Sequence, residues 1–118
     1  MSVLSDRMRA ARARWIDVGE GIELQILRPQ STAFFGIDPD ASSAAKSLAI
    51  ARTCVIDWRG MRESTLLPGV GVDDEVEFDA DAYREWLADH PDVIGKVADA
   101  CLEDLAAWRA RRDDIHEK

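Results

Sequence analysis

Apolar positions along this chain change period several times, and each change marks an element. Leu4, Met8 and Ala11 recur at helical spacing among arginines, which predicts a short helix over residues 4–14. From Trp15 the period drops to two. Trp15, Ile16 and Val18 precede Gly19-Glu20-Gly21, and Ile22, Leu24 and Ile26 then alternate with Glu23 and Gln25. Alternation on both sides of a glycine-rich turn signals a β-hairpin. Its second strand should end at Arg28-Pro29, because proline cannot donate to a ladder. One face of that strand is apolar and requires cover. Phe34-Phe35, which either begin a short helix or cross the core, lead with Ile37 to a turn or helix start at Asp38-Pro39-Asp40.

Between residues 41 and 58, Ala44, Leu48, Ala51, Val55 and Trp58 trace one helical stripe, widened by Ala45, Cys54 and Ile56. Ser42 or Ser43 supplies the cap, and Gly60 the stop. Residues 61–72 form a loop broken by Pro68, Gly69 and Gly71, yet carrying Leu66, Leu67, Val70 and Val72. Two readings stand for it: it folds back over the core, or it offers an apolar contact to a partner. Residues 73–79 alternate acids with Val76 and Phe78, as a short edge strand would. Asp79 then caps a helix with Ala82, Tyr83, Trp86 and Leu87 on one face, ending before His90-Pro91. Pro91 and Asp92 suit the first turn of a last helix. Its stripe is Ile94, Val97, Ala98, Cys101, Leu102 and Leu105, with Trp108 beyond.

These elements add up to a mainly α, α+β fold, an N-terminal β-hairpin packed on three to four short helices. Residues 13–108 form the single domain, residues 1–12 a basic helix or tail, and residues 109–118 a charged tail expected to fray. The 118 residues and 47% apolar content suit one domain with its own core. No apolar run nears the ~18 residues needed to cross a bilayer, and the start of the chain lacks the apolar stretch of a secretory signal. Cys54 and Cys101, each in an apolar helical setting, read as buried reduced thiols of a cytoplasmic protein.

Charge divides the chain. Residues 1–60 carry eight basic and seven acidic side chains, and residues 61–118 seven and sixteen, within a net charge of −8. The acidic second half argues against a nucleic-acid surface there. Arg7, Arg9, Arg12 and Arg14 lack interleaved aromatics and read as a solvated helix face.

Sites of chemistry fail one by one. An EF-hand loop starting at Asp73 or Asp74 would place Phe78 or Asp79 where glycine is required. Gly69-Val70-Gly71 lacks the third glycine of a phosphate loop. His90 and His116 have no partners at metal spacing, and His90 reads as a helix-end residue with its ring in solvent. Asp57 is expected to face solvent or pair with Arg59 or Arg28. The expectation is therefore no enzyme, no cofactor and no metal. Binding is the better use of the aromatics. Trp58 and Trp86 lie on core stripes, Trp15 fits either face of its strand, and Trp108 is the best surface anchor. The candidate partner-binding residues are Leu66, Leu67, Val70, Trp108, Asp73, Asp74 and Glu75.

Val55-Ile56-Asp57-Trp58-Arg59-Gly60-Met61, then Val76-Glu77-Phe78-Asp79, then Trp86-Leu87 through His90-Pro91-Asp92-Val93 occur in an order that resembles the tail assembly chaperones of phages with long non-contractile tails. The resemblance spans roughly residues 13–108; loop 61–75 departs from it in length and apolar content. It implies a chaperone that binds and solubilises the tape measure protein during tail morphogenesis in the host cytoplasm and is absent from the mature virion. The tail tube protein is a second candidate partner, and homo-oligomerisation is open. A head–tail or tail structural component and an acidic adaptor or immunity-type protein are the alternatives.

Overall fold

The computed structural model describes residues 2–34 and 36–117, with side chains to residue 115. Phe35 and the ring of His116, both singled out above, lie outside the described residues. In chain order the elements are α1 (Val3–Ala11), β1 (Ala13–Gly19), β2 (Ile22–Leu27), α2 (Ser43–Cys54), β3 (Val55–Arg59), α3 (Glu63–Leu66), α4 (Ala80–Ala88) and α5 (Pro91–Glu117). The α+β class and the N-terminal hairpin hold. The helices among the described residues number five, and α5 alone is 27 residues long.

The hairpin forms where alternation meets glycine. Gly19, Glu20 and Gly21 all take positive φ, which lets the chain reverse between two twisted strands. β1 and β2 pair antiparallel with Ile16 opposite Leu24 and Asp17 opposite Glu23. Ile22, Leu24 and Ile26 point into the core and are buried, and each contributes about 1.5–3 kcal/mol by leaving water.

The free edge of β2 is taken by residues expected to be helical. α2 stops at Cys54, and Val55 turns directly into β3, which pairs antiparallel with β2. The stripe through Val55 and Trp58 satisfies a helix. So does a strand, and Val55-Ile56 are β-branched, which favours the pleated backbone. An open β2 edge beside them decides the outcome, since pairing there satisfies backbone groups of β2 that would otherwise lack partners. The other face of the sheet is closed by charge: Arg59 forks onto Glu23 at 2.9 and 3.0 Å and lies 4.1 Å above the centre of the Trp15 ring.

Residues 60–78 wrap back over the sheet end. Val76 N–H donates to the Met61 carbonyl at 2.9 Å, and the Trp58 indole N–H donates to the Val76 carbonyl, also at 2.9 Å. The expected edge strand over residues 73–79 is a single bridge between Arg62 and Glu75. The loop over residues 61–72 contains one helical turn, α3.

Asp79 caps α4 through the N–H groups of Asp81 and Ala82, at 2.9 and 3.1 Å. Pro91 opens α5 as anticipated. α2 and α5 pack across the inner face of the sheet, with Ile50, Ala51 and Cys54 against Val97, Ala98 and Cys101 in one core. An aromatic row closes the far side: Trp58 meets Phe78 edge-on at 5.2 Å, and Phe78, Tyr83 and Trp86 follow in turn. α5 stays helical through residues 109–117, where a frayed tail was expected. Charged side chains with high helix propensity extend it at little cost.

Candidate functional site

The candidates drawn from the sequence fall in two places. Leu66 is half-buried against the core, while Leu67 and Val70 stand in solvent, Val70 at 82% exposure. Loop 61–72 thus folds back over the core at Leu66 and leaves Leu67 and Val70 exposed beyond it. The neighbouring acids are exposed but hold the loop. Asp73 accepts from Arg62 Nη1 at 2.8 Å through its carbonyl, the Asp74 carbonyl accepts from Glu63 N–H at 2.9 Å, and the Glu75 carboxylate accepts from Gly60 N–H at 2.6 Å. Trp108 is elsewhere. It is half-buried, with the Arg28 guanidinium 4.3 Å and the Arg112 guanidinium 4.9 Å from its ring centre. It lines a groove that none of residues 66–75 reaches.

Other expected positions are corrected. His90 does not hold its ring in solvent. The ring stacks on Trp86 at 4.6 Å, and Nδ1–H donates to the Trp86 carbonyl at 2.6 Å. Asp57 pairs with neither arginine; its carboxylate accepts from Trp58 N–H at 2.8 Å, and Arg59 is engaged by Glu23. Leu102, assigned to the core stripe of the last helix, is 44% exposed. Cys54 and Cys101 are both buried and free, and they lie in the same core where α2 packs on α5. The neighbouring Cys54 thiol first, and burial after it, push the Cys101 thiol up from its ordinary value, while Cys101 draws the Cys54 thiol down. A thiol held neutral is a poor nucleophile. Among the described residues, no three His, Cys, Asp or Glu side chains stand close enough to hold a metal ion. No helix among them is long and apolar enough to cross a membrane.

Two grooves remain. The first lies between residues 34–39, α2 and α5. It encloses about 450 Å³, and Phe34, Ile37, Pro39, Ile50 and Leu102 give it apolar walls. Lys46 marks one edge, its ammonium donating to the Pro39 carbonyl at 3.1 Å. The sequence carried a partial signal for it: Phe34 and Ile37 are apolar residues in a segment with no periodicity, and only tertiary packing sets them opposite Leu102. Its size is that of a site for a small ligand or for one or two side chains of a bound helix.

The second groove runs between α1 and the end of α5, and encloses about 840 Å³. Arg9 and Arg12 enter it from α1 and its cap, Arg28 from the end of β2, and Arg111 from α5. A smaller recess of about 200 Å³ adjoins it, lined by Arg14 and Asp104 as well. Arg14 holds both Asp104 oxygens, at 3.0 and 2.8 Å. Burial first, then the neighbouring Arg12 and Arg111, hold the Arg28 guanidinium below its ordinary value. Of the four arginines read as a solvated helix face, Arg9 and Arg12 line this groove, while Arg7 does not and α1 buries none of its residues.

Comparison with known proteins found no match for this chain among family models, among characterised proteins or among solved structures.

Proposed function

We propose that this protein is a tail assembly chaperone of a long-tailed phage, holding an amphipathic helical segment of the tape measure protein in soluble form. The observation that carries the reading is the open apolar groove walled by Phe34, Ile37, Ile50 and Leu102. Leu24, Ile26, Tyr83, Trp86 and Leu87 are absorbed in a packed core, and this concavity lies open beside it. An amphipathic helix presents its apolar side chains at i, i+3 and i+4, and such a row fits a groove formed between two helices and a loop. The binding needs no active-site chemistry, and the frame suits it: α2 and α5 set the two long walls, and the capped loop at Asp38-Pro39-Asp40 sets the third.

Co-expression with a tape measure protein of a long-tailed phage tests the reading. The expected result is a soluble complex and a several-fold rise in soluble tape measure protein. Unchanged solubility in the presence of this chain would overturn the proposal. Mass spectrometry of purified virions separates a chaperone from a structural component, because a chaperone is absent from finished particles.

A further inference from the structure

We infer that the arginine-lined groove between α1, Arg28 and the end of α5 is a binding site for a small phosphate monoester. Four guanidiniums, those of Arg9, Arg12, Arg28 and Arg111, line one concavity. The acid that lines the adjoining recess, Asp104, is already committed to Arg14. None of the four forms an ion pair among the described residues. In a chain with 23 acidic and 15 basic residues, such a concentration of unneutralised cations is costly to assemble. An anion in the groove offsets that cost.

A second observation is independent of charge. The Ser31 hydroxyl oxygen is shielded from solvent and has no hydrogen-bond partner among the described residues, and Ser31 lines this groove. A buried hydroxyl without a partner is unfavourable, and a ligand oxygen that accepts from it removes that cost. A phosphoryl oxygen would accept from it, and the guanidinium fork matches two phosphoryl oxygens at once. All eight basic residues in segments 1–28 and 109–112 bar none are arginine, the side chain suited to bidentate oxyanion recognition.

The groove also has an organic half. Met8, Ala11 and the Trp108 ring face it beside the arginines. The volume, about 840 Å³, exceeds what a bare phosphate fills, so an ester with an apolar or aromatic group fits both halves. A long polyanion fits less well. The chain carries a net charge of −8, which repels an extended backbone, whereas a single dianion is screened from remote charges beyond ~8 Å at physiological ionic strength.

Titration calorimetry on the full chain tests the inference, with phenyl phosphate as probe and inorganic phosphate and a single-stranded oligonucleotide as comparisons. One phenyl phosphate should bind per chain, more tightly than inorganic phosphate. Arg111→Gln, at an exposed helix position, should weaken binding about tenfold. Arg28→Gln should weaken it further, and Arg84→Gln on α4 should leave it unchanged. Circular dichroism of each variant confirms the fold, and Arg111→Gln keeps the test valid if Arg28→Gln is destabilised. Absence of phenyl phosphate binding, or binding indifferent to Arg111→Gln in a folded protein, would overturn the site. Equal affinity for inorganic phosphate would overturn the ester assignment. Binding of the oligonucleotide alone, falling steeply with salt, would overturn it in favour of a nucleic-acid surface.

Discussion

Tyr83 shows how much one side chain can carry. It is 1% exposed, and its phenol donates to the Ala51 carbonyl at 2.8 Å, tying α4 to α2. Tyr83→Phe should cost about 1–2 kcal/mol, read by urea denaturation at neutral pH. Burial also raises the phenol's pKa. The phenol is held protonated in the fold but ionises in the unfolded chain near its ordinary value of 10.0. Above that value the native state binds more protons than the unfolded one, so this contribution is full below about pH 10 and is lost as pH rises past it. Denaturation midpoints followed from pH 7 to about 10.5 should decline, and Tyr83→Phe should flatten the part beginning near pH 10. Gly60 makes a second residue-scale case. It takes φ 76° where the chain leaves β3, and a Cβ there would run into the Gly21 carbonyl of the hairpin turn. Gly60→Ala should therefore cost at least about 1–3 kcal/mol in a thermal or chemical melt.

At the scale of elements, the parts set by local chemistry were legible in the sequence. The Gly19-Glu20-Gly21 turn fixed the hairpin, Asp79 the start of α4, and Pro91 the start of α5. What escaped was decided by neighbours distant in sequence. Val55-Ile56-Asp57-Trp58 fits a helical stripe as well as a strand, and only the open edge of β2 selects the strand. Leu102 fits the α5 stripe, but the core on that side is already filled, and Leu102 is left lining a groove. Trp58 is the pivot of β3, buried at 4% exposure with its indole bonded to Val76. Trp58→Ala should cost about 3–5 kcal/mol by removing both packing and the tether of residues 60–78. α1 is the opposite case, since none of its residues is buried. Deleting residues 2–11 should shift stability by no more than about 1 kcal/mol, while removing one wall of the arginine groove.

For the whole molecule, the architecture separates two kinds of surface. The apolar groove lies between α2, α5 and residues 34–39, and the basic groove lies where α1 meets the end of α5. The sequence suggested neither, because each is assembled from segments that only the fold brings together: Phe34 with Leu102, and Arg12 with Arg28 and Arg111. Loop 66–75, which the sequence did point to, is largely occupied in holding itself against the sheet end through Asp73, Asp74 and Glu75. The central claim is that the partner helix docks in the apolar groove rather than on that loop. The most direct measurement is affinity co-purification of the tape measure protein with two single variants at exposed positions, Leu102→Glu in the groove and Val70→Glu in the loop. The account predicts that Leu102→Glu loses the partner and Val70→Glu retains it. Retention by Leu102→Glu with loss in Val70→Glu would contradict it.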